Sequence, residues 1–290
     1  MSTAVTTSRP ANGNVQLLRP ARALVGWMSQ EEAAQWLAGP GQVVMEAHHD
    51  TVRRARETVS KRHFHQGVVL GALPPQLGPH VEALRVNPAS AMFFQEGWDV
   101  AIADLSSVCA IQRHVLTGDA MERVAAVDAA DMVAIASVTL PQAEPRQLAA
   151  AFDPVKQSWV FSSANPNLRI AGQFHAEVQP GFHGFGFVVS LSTSFLQVAR
   201  YRDRYLLRDG YHRAYGFLAR GVSHLPVFVR EFETFEAMGL PQAGLSPHDS
   251  FLGATPPTLS DYLDDTVSAA VTVPATQKVV VVQGLEVNTL

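Results

Sequence analysis

The chain has 290 residues, 47% hydrophobic and 17% charged, a composition that suits a compact protein with a sizeable core and excludes an extended disordered chain. A net charge of −4 gives the whole molecule no electrostatic drive to wrap DNA or lie on an anionic membrane. The single cysteine, Cys109, excludes an internal disulfide and a multi-cysteine zinc site, and its apolar neighbours mark it as a buried structural thiol. With no signal-peptide core and no run near the ~20 apolar residues of a membrane span, the expected location is cytoplasmic.

Residues 1–22 are polar and Pro/Asn-containing and read as a flexible arm, able to order against a neighbouring subunit. Residues 23–150 read as mainly helical. Ser29 and Glu32 have capping-box spacing for a short helix that stops at Gly39-Pro40. A partly exposed helix is expected between Val44 and Gln66, followed by the apolar Val68-Val69-Leu70, the breaker Pro74-Pro75, and another helix from His80 to Val86, closed by Asn87-Pro88. Segments 105–116 and 120–138 are further helical or buried candidates, although 133–138 also suits a strand.

From 151 to 290 the pattern changes to short Phe/Val-rich strands, around 160–161, 168–174, 185–191, 195–199, 205–207, 225–229 and 279–282. Phe185 to Ala199 reads as nearly continuous strand, and Val279 to Val282 lacks alternation, which suits a strand covered on both faces. The Gly/Pro-rich stretch 238–257 is a long loop of the sort that covers a site or binds a neighbour. The fold class is therefore α+β.

The segment 200–220 carries six arginines against Asp203 and Asp209, a local charge of +4. Within it, Asp209-Gly210-Tyr211-His212-Arg213 joins a strand to a helix whose apolar stripe is Tyr211, Ala214, Tyr215 and Leu218, leaving His212, Arg213 and Arg220 on the other face. Gly210 permits a sharp turn, the first-turn N–H groups lack intrahelical partners, and an arginine fork matches phosphate. The expectation is an anion site at a helix start.

From Ser194 to Arg230, this strand, turn, helix, Gly221 and Leu225-Pro226-Val227-Phe228-Val229 resemble the nucleotide-binding core of the ParB/sulfiredoxin-like superfamily. The resemblance implies a mixed-sheet core in which Gly210, His212 and Arg213, with Asp209 and Tyr211 beside them, contact the phosphates of ATP or CTP bound with Mg²⁺. It also implies a small-molecule phosphotransferase or a nucleotide-gated switch. The chain departs from the superfamily's best-known members: it has no helix-turn-helix after the core, and position 211 is Tyr where the sulfur reductases carry Cys.

Other clusters carry less. His175, Glu177 and His183 lie around a Pro-Gly turn without a clear fourth metal ligand. His48-His49 and His63/His65 lack the i, i+4 spacing of zinc peptidases, and Asp261, Asp264 and Asp265 suit the start of a short helix. No resident metal is expected from the sequence, and no general base is identified. A second reading stands beside the nucleotide one: a non-enzymatic assembly protein that keeps the core as scaffold and self-associates through its arm and its 238–257 loop.

Overall fold

The computed structural model describes residues 17–67, 69–142, 150–163, 168–191, 193–240, 245–276 and 278–283. It begins with β1 (Leu18–Ala23), followed by α1 (Gln30–Ala38). The Ser29 hydroxyl accepts the Glu32 N–H as N-cap, and Gly39, at φ +89°, ends the helix. α2 (Glu46–Ser60) turns Val52, Ala55 and Val59 inward. β2 (Leu70–Gly71), α3 (Gly78–Val86) and α4 (Ala91–Gln95) lead to β3 (Asp99–Asp104), and β4 (His114–Leu116) runs into α5 (Thr117–Val124). In α6 (Met132–Thr139), the Asp131 carboxylate accepts the N–H groups of Val133 and Ala134, which resolves 133–138 as helix.

The second half comprises β5 (Ala150–Asp153), β6 (Ser158–Ser163), β7 (Leu168–Gln179), β8 (Phe182–Leu191), β9 (Gln197–Tyr201) and β10 (Arg204–Asp209). It continues with α7 (Tyr211–Ala219), β11 (His224–Phe232), α8 (His248–Leu252), β12 (Ala269–Pro274) and β13 (Lys278–Gln283). The chain is thus an α+β protein, and none of its described helices is long and apolar enough to cross a membrane.

The main sheet has the order β10-β9-β11-β3-β2, with β11 parallel to β9 and antiparallel to β3. Its strands and α7 bury one large core, in which Phe93 stacks on Phe228 at 5.1 Å and Phe195 meets both rings edge-on. Full burial of a side chain such as Phe195 or Phe228 contributes about 1.5–3 kcal/mol. A second sheet, β12-β1-β4, rests its small Ala21 and Ala23 against α1 and α2. The β13-β6-β5 sheet and the β7–β8 hairpin form a separate β-rich region.

Several expectations need correction. Leu18–Arg22 pairs with β12 rather than extending the arm, and residues 1–16 lie outside the described set. Segment 105–116 is largely buried, as expected, but is not a helix: it is a 3-10 turn followed by β4, because Cys109 and its neighbours bond to Tyr205, Leu207 and Pro257 on distant segments. The boundary expected near 150 separates no cores, since β3 from the first half lies between β11 and β2 in the main sheet. Phe185 to Ala199 divides into β8 and β9. Val279 and Val281 are exposed, so β13 is covered on one face only.

Candidate functional site

β10 delivers Asp209 to the turn, and Gly210 takes φ +98°, a left-handed conformation that costs glycine least. A Cβ at Gly210 would also lie 3.0 Å from Leu196 Cα, so the turn is packed against the chain entering β9. The Asp209 carboxylate accepts the Gly210 N–H at 2.6 Å and the Ser194 hydroxyl at 3.0 Å. Tyr211 is buried. Its hydroxyl donates to the Leu207 carbonyl at 2.8 Å and accepts the Ile111 N–H at 2.7 Å, while burial pushes the phenol above its usual range.

Arg213 does not face outward with His212. Its side chain is buried, and Nη1 donates to the carbonyls of Ser194 at 2.7 Å, Val138 at 3.1 Å and Thr139 at 3.3 Å, while Nη2 donates to the Ser194 hydroxyl at 2.7 Å. The cation therefore meets the exposed carbonyls at the C-terminus of α6, where the helix dipole favours positive charge. Desolvation lowers its pKa to about 10, opposed by nearby Asp209, so the guanidinium stays charged at neutral pH. It clamps α6, the Ser194 segment and α7 together.

His212 lies on the side of α7 nearest α5 and β4, and its enclosed Nε2 has no hydrogen-bond partner among the described residues. Desolvation first, then the charges of Arg123, His114, Arg19 and Arg213, lower its pKa to about 4. It is neutral at pH 7. Structure thus brings Asp209, Gly210, Tyr211, His212 and Arg213 to one turn but commits most of their polar groups to the protein itself.

Three other arginines of the +4 segment also donate to backbone carbonyls. Arg208 donates to the Met238 carbonyl at 2.6 Å and to Gln197 while lying over the Trp98 ring. Arg204 donates to the Gly253 carbonyl at 2.9 Å over the Phe64 ring, and Arg220 caps α5 through the carbonyls of Val124 and Val127. Arg200 pairs with Glu231, and Arg202 packs on Tyr201. Four of the six arginines that read in sequence as a basic stripe, Arg204, Arg208, Arg213 and Arg220, fasten the protein to itself, and only Arg200 and Arg202 are exposed.

Among the described residues, no group of three or more His, Cys, Asp and Glu side chains is placed to hold a metal ion. Asp261 and Asp264 both pair with Arg62, and Asp265 pairs with Arg22. Glu177 faces the His183 position across β7–β8, with His175 opposite Phe185. Cys109 is fully buried, and desolvation raises its thiol to about 12, so it is inert as a nucleophile at neutral pH.

The feature that sequence reading misses is in the β-rich region. Of the described side chains in β5, β6, β7, β8 and β13, only Ser158 and Leu168 are buried. Among the described residues, eleven of twenty exposed large apolar side chains lie on these strands and their turns, including Val155 at 90%, Val178 at 70%, Phe182 at 68% and Phe174 at 60% exposed. Phe174 lies across Gly186, leaving no room for a Cβ there, which fixes the hairpin register without burying the ring. Between sheet and hairpin is a cavity of about 340 Å³ lined by residues such as Trp159, Phe161, Phe187 and Val282. The two layers therefore meet without forming a dense core.

The chain matches no protein-family model, no curated protein and no solved structure.

Proposed function

We propose that this chain is a non-enzymatic assembly protein: the α+β body is the scaffold, and the β5–β8 and β13 strands are the element by which it docks on a second copy of itself. The observation that carries this reading is the concentration of exposed Phe, Val, Ile and Trp on strands that lack a core. Exposed apolar surface of this kind marks interaction sites, since isolated two-stranded hairpins are marginal in water without a surface to pack on.

Charge favours a second copy over a charged partner. The described β-rich segments contain Asp153, Lys156, Arg169, Glu177 and Lys278, three cations against two acids, so neither repulsion nor a strong field opposes self-docking. The β7–β8 hairpin leaves both outer edges unpaired among the described strands. A strand edge can pair antiparallel with the same edge of another copy, which gives a closed two-fold contact.

The nucleotide reading rests on the Gly210–Arg213 turn. The packing there favours the scaffold reading, because Arg213 is already occupied by carbonyls and Gly210 is closed against Leu196. Light scattering beside calorimetric titration with ATP and CTP plus Mg²⁺ tests the choice. The assembly reading expects a mass above the monomer and no saturable nucleotide heat. A monomer that binds nucleotide, with binding lost in His212→Ala/Arg213→Ala, would overturn it.

A further inference from the structure

α1 covers the β12-β1-β4 sheet only as far as Gly39, where the chain turns away. Beyond that point the sheet and the helix end enclose a cavity of about 450 Å³, lined by different residues from the cavity of the β-rich region. Its walls are mostly apolar: Trp36 and Pro40 from the helix side, Leu116 from β4, Val273 and Pro274 from β12. Trp36 and His114 form an aromatic pair with ring centroids 4.9 Å apart.

Among the polar side chains that line this space with Gln35, Thr272 and Thr276, two bear on its ligand chemistry, Arg19 and His114. Arg19, on β1, makes an ion pair with Asp119 through Nη2, the one side-chain hydrogen bond it has among the described residues, so Nε and Nη1 remain for another acceptor. His114 contributes its imidazole. The charges of Arg19 and Arg123 both bear on His212, while burial lowers the His114 pKa and leaves its imidazole a neutral hydrogen-bonding group at the cavity wall.

We propose that this cavity is a binding site for a planar aromatic carboxylate, its ring against Trp36 and His114 and its anion on the free edge of the Arg19 guanidinium. The volume lies within the range of small-molecule pockets, which typically combine apolar walls with a few convergent polar groups. An aromatic ring gains from the Trp36 face, and a carboxylate matches the arginine fork. The proposal is independent of how the β-rich region assembles.

Calorimetric titration of the full chain with 2-naphthoate, with 2-naphthalenemethanol as the neutral control, tests it. A charge-assisted hydrogen bond in a partly enclosed site corresponds to roughly tenfold in affinity, so 2-naphthoate binds saturably and about tenfold more tightly than the alcohol. Arg19→Gln removes that preference. Thr272→Trp, at an exposed cavity-lining position, abolishes binding without changing the melting temperature, and separates this cavity from adventitious binding on the β-rich surface. Absence of saturable 2-naphthoate binding, equal affinity for acid and alcohol, or undiminished binding in folded Thr272→Trp would each overturn the proposal.

Discussion

Replacing Arg213 with methionine keeps most of the side-chain volume and removes the guanidinium. The carbonyls of Ser194 and Val138 then lose their donor, whereas Thr139 keeps the Leu196 N–H at 2.8 Å. Net contributions of hydrogen bonds to a charged group, about 1.5–3 kcal/mol each, already include desolvation. Counting only the two 2.7 Å bonds to Ser194, and allowing water to reach part of the gap, gives a loss of about 3 kcal/mol. Arg213→Lys, which retains charge but not the fork, should lose roughly half of that. Urea unfolding at constant m-value reads both. A side chain held free for a ligand would instead be replaceable within about 0.5 kcal/mol, and that result for Arg213→Met would refute the clamp.

Two further predictions follow from the same packing. His212 has its folded pKa depressed from 6.5 to about 4, so its contribution is fully present above pH 6.5 and lost as pH falls through about 4. The loss amounts to about 3 kcal/mol, and His212→Gln should flatten that part of the stability–pH curve; a curve of unchanged slope in the variant would contradict the assignment. At Gly216, where α7 crosses α5, a Cβ would lie 2.5 Å from the Ala120 carbonyl oxygen. The roughly 1 kcal/mol helix-propensity gain of Gly216→Ala is outweighed by overpacking of about 1–3 kcal/mol, with the backbone contact placing it at the upper end. The variant should unfold at lower urea than the parent, and a stabilised variant would show that the helices can separate freely.

Much of the fold was legible where local chemistry decides it. Ser29 spaced from Glu32, the Gly39-Pro40 stop, and the Asp209-Gly210 turn between β10 and α7 all lie where the residues place them. β3 was not legible, because Asp99–Asp104 becomes a strand through pairing with β11, more than a hundred residues away. Arg213 reads as outward on a helical wheel that assumes one buried face. α7 packs instead against the sheet, α5 and the Ser194 segment, so the face opposite the apolar stripe is also interior. The exposed β-rich surface was hidden for the converse reason: Phe/Val-rich strands look the same in sequence whether or not anything covers them, and only the structure shows Val178 and Phe182 uncovered.

The most direct test of assembly is sedimentation of the parent chain beside Val178→Lys/Phe182→Lys, a pair at the hairpin tip whose side chains are 70% and 68% exposed and carry no core. The parent is expected to form a defined oligomer at concentrations up to roughly 100 μM, and the variant a monomer with an unchanged melting temperature. A parent that stays monomeric over that range, or a variant that associates as the parent does, would contradict it.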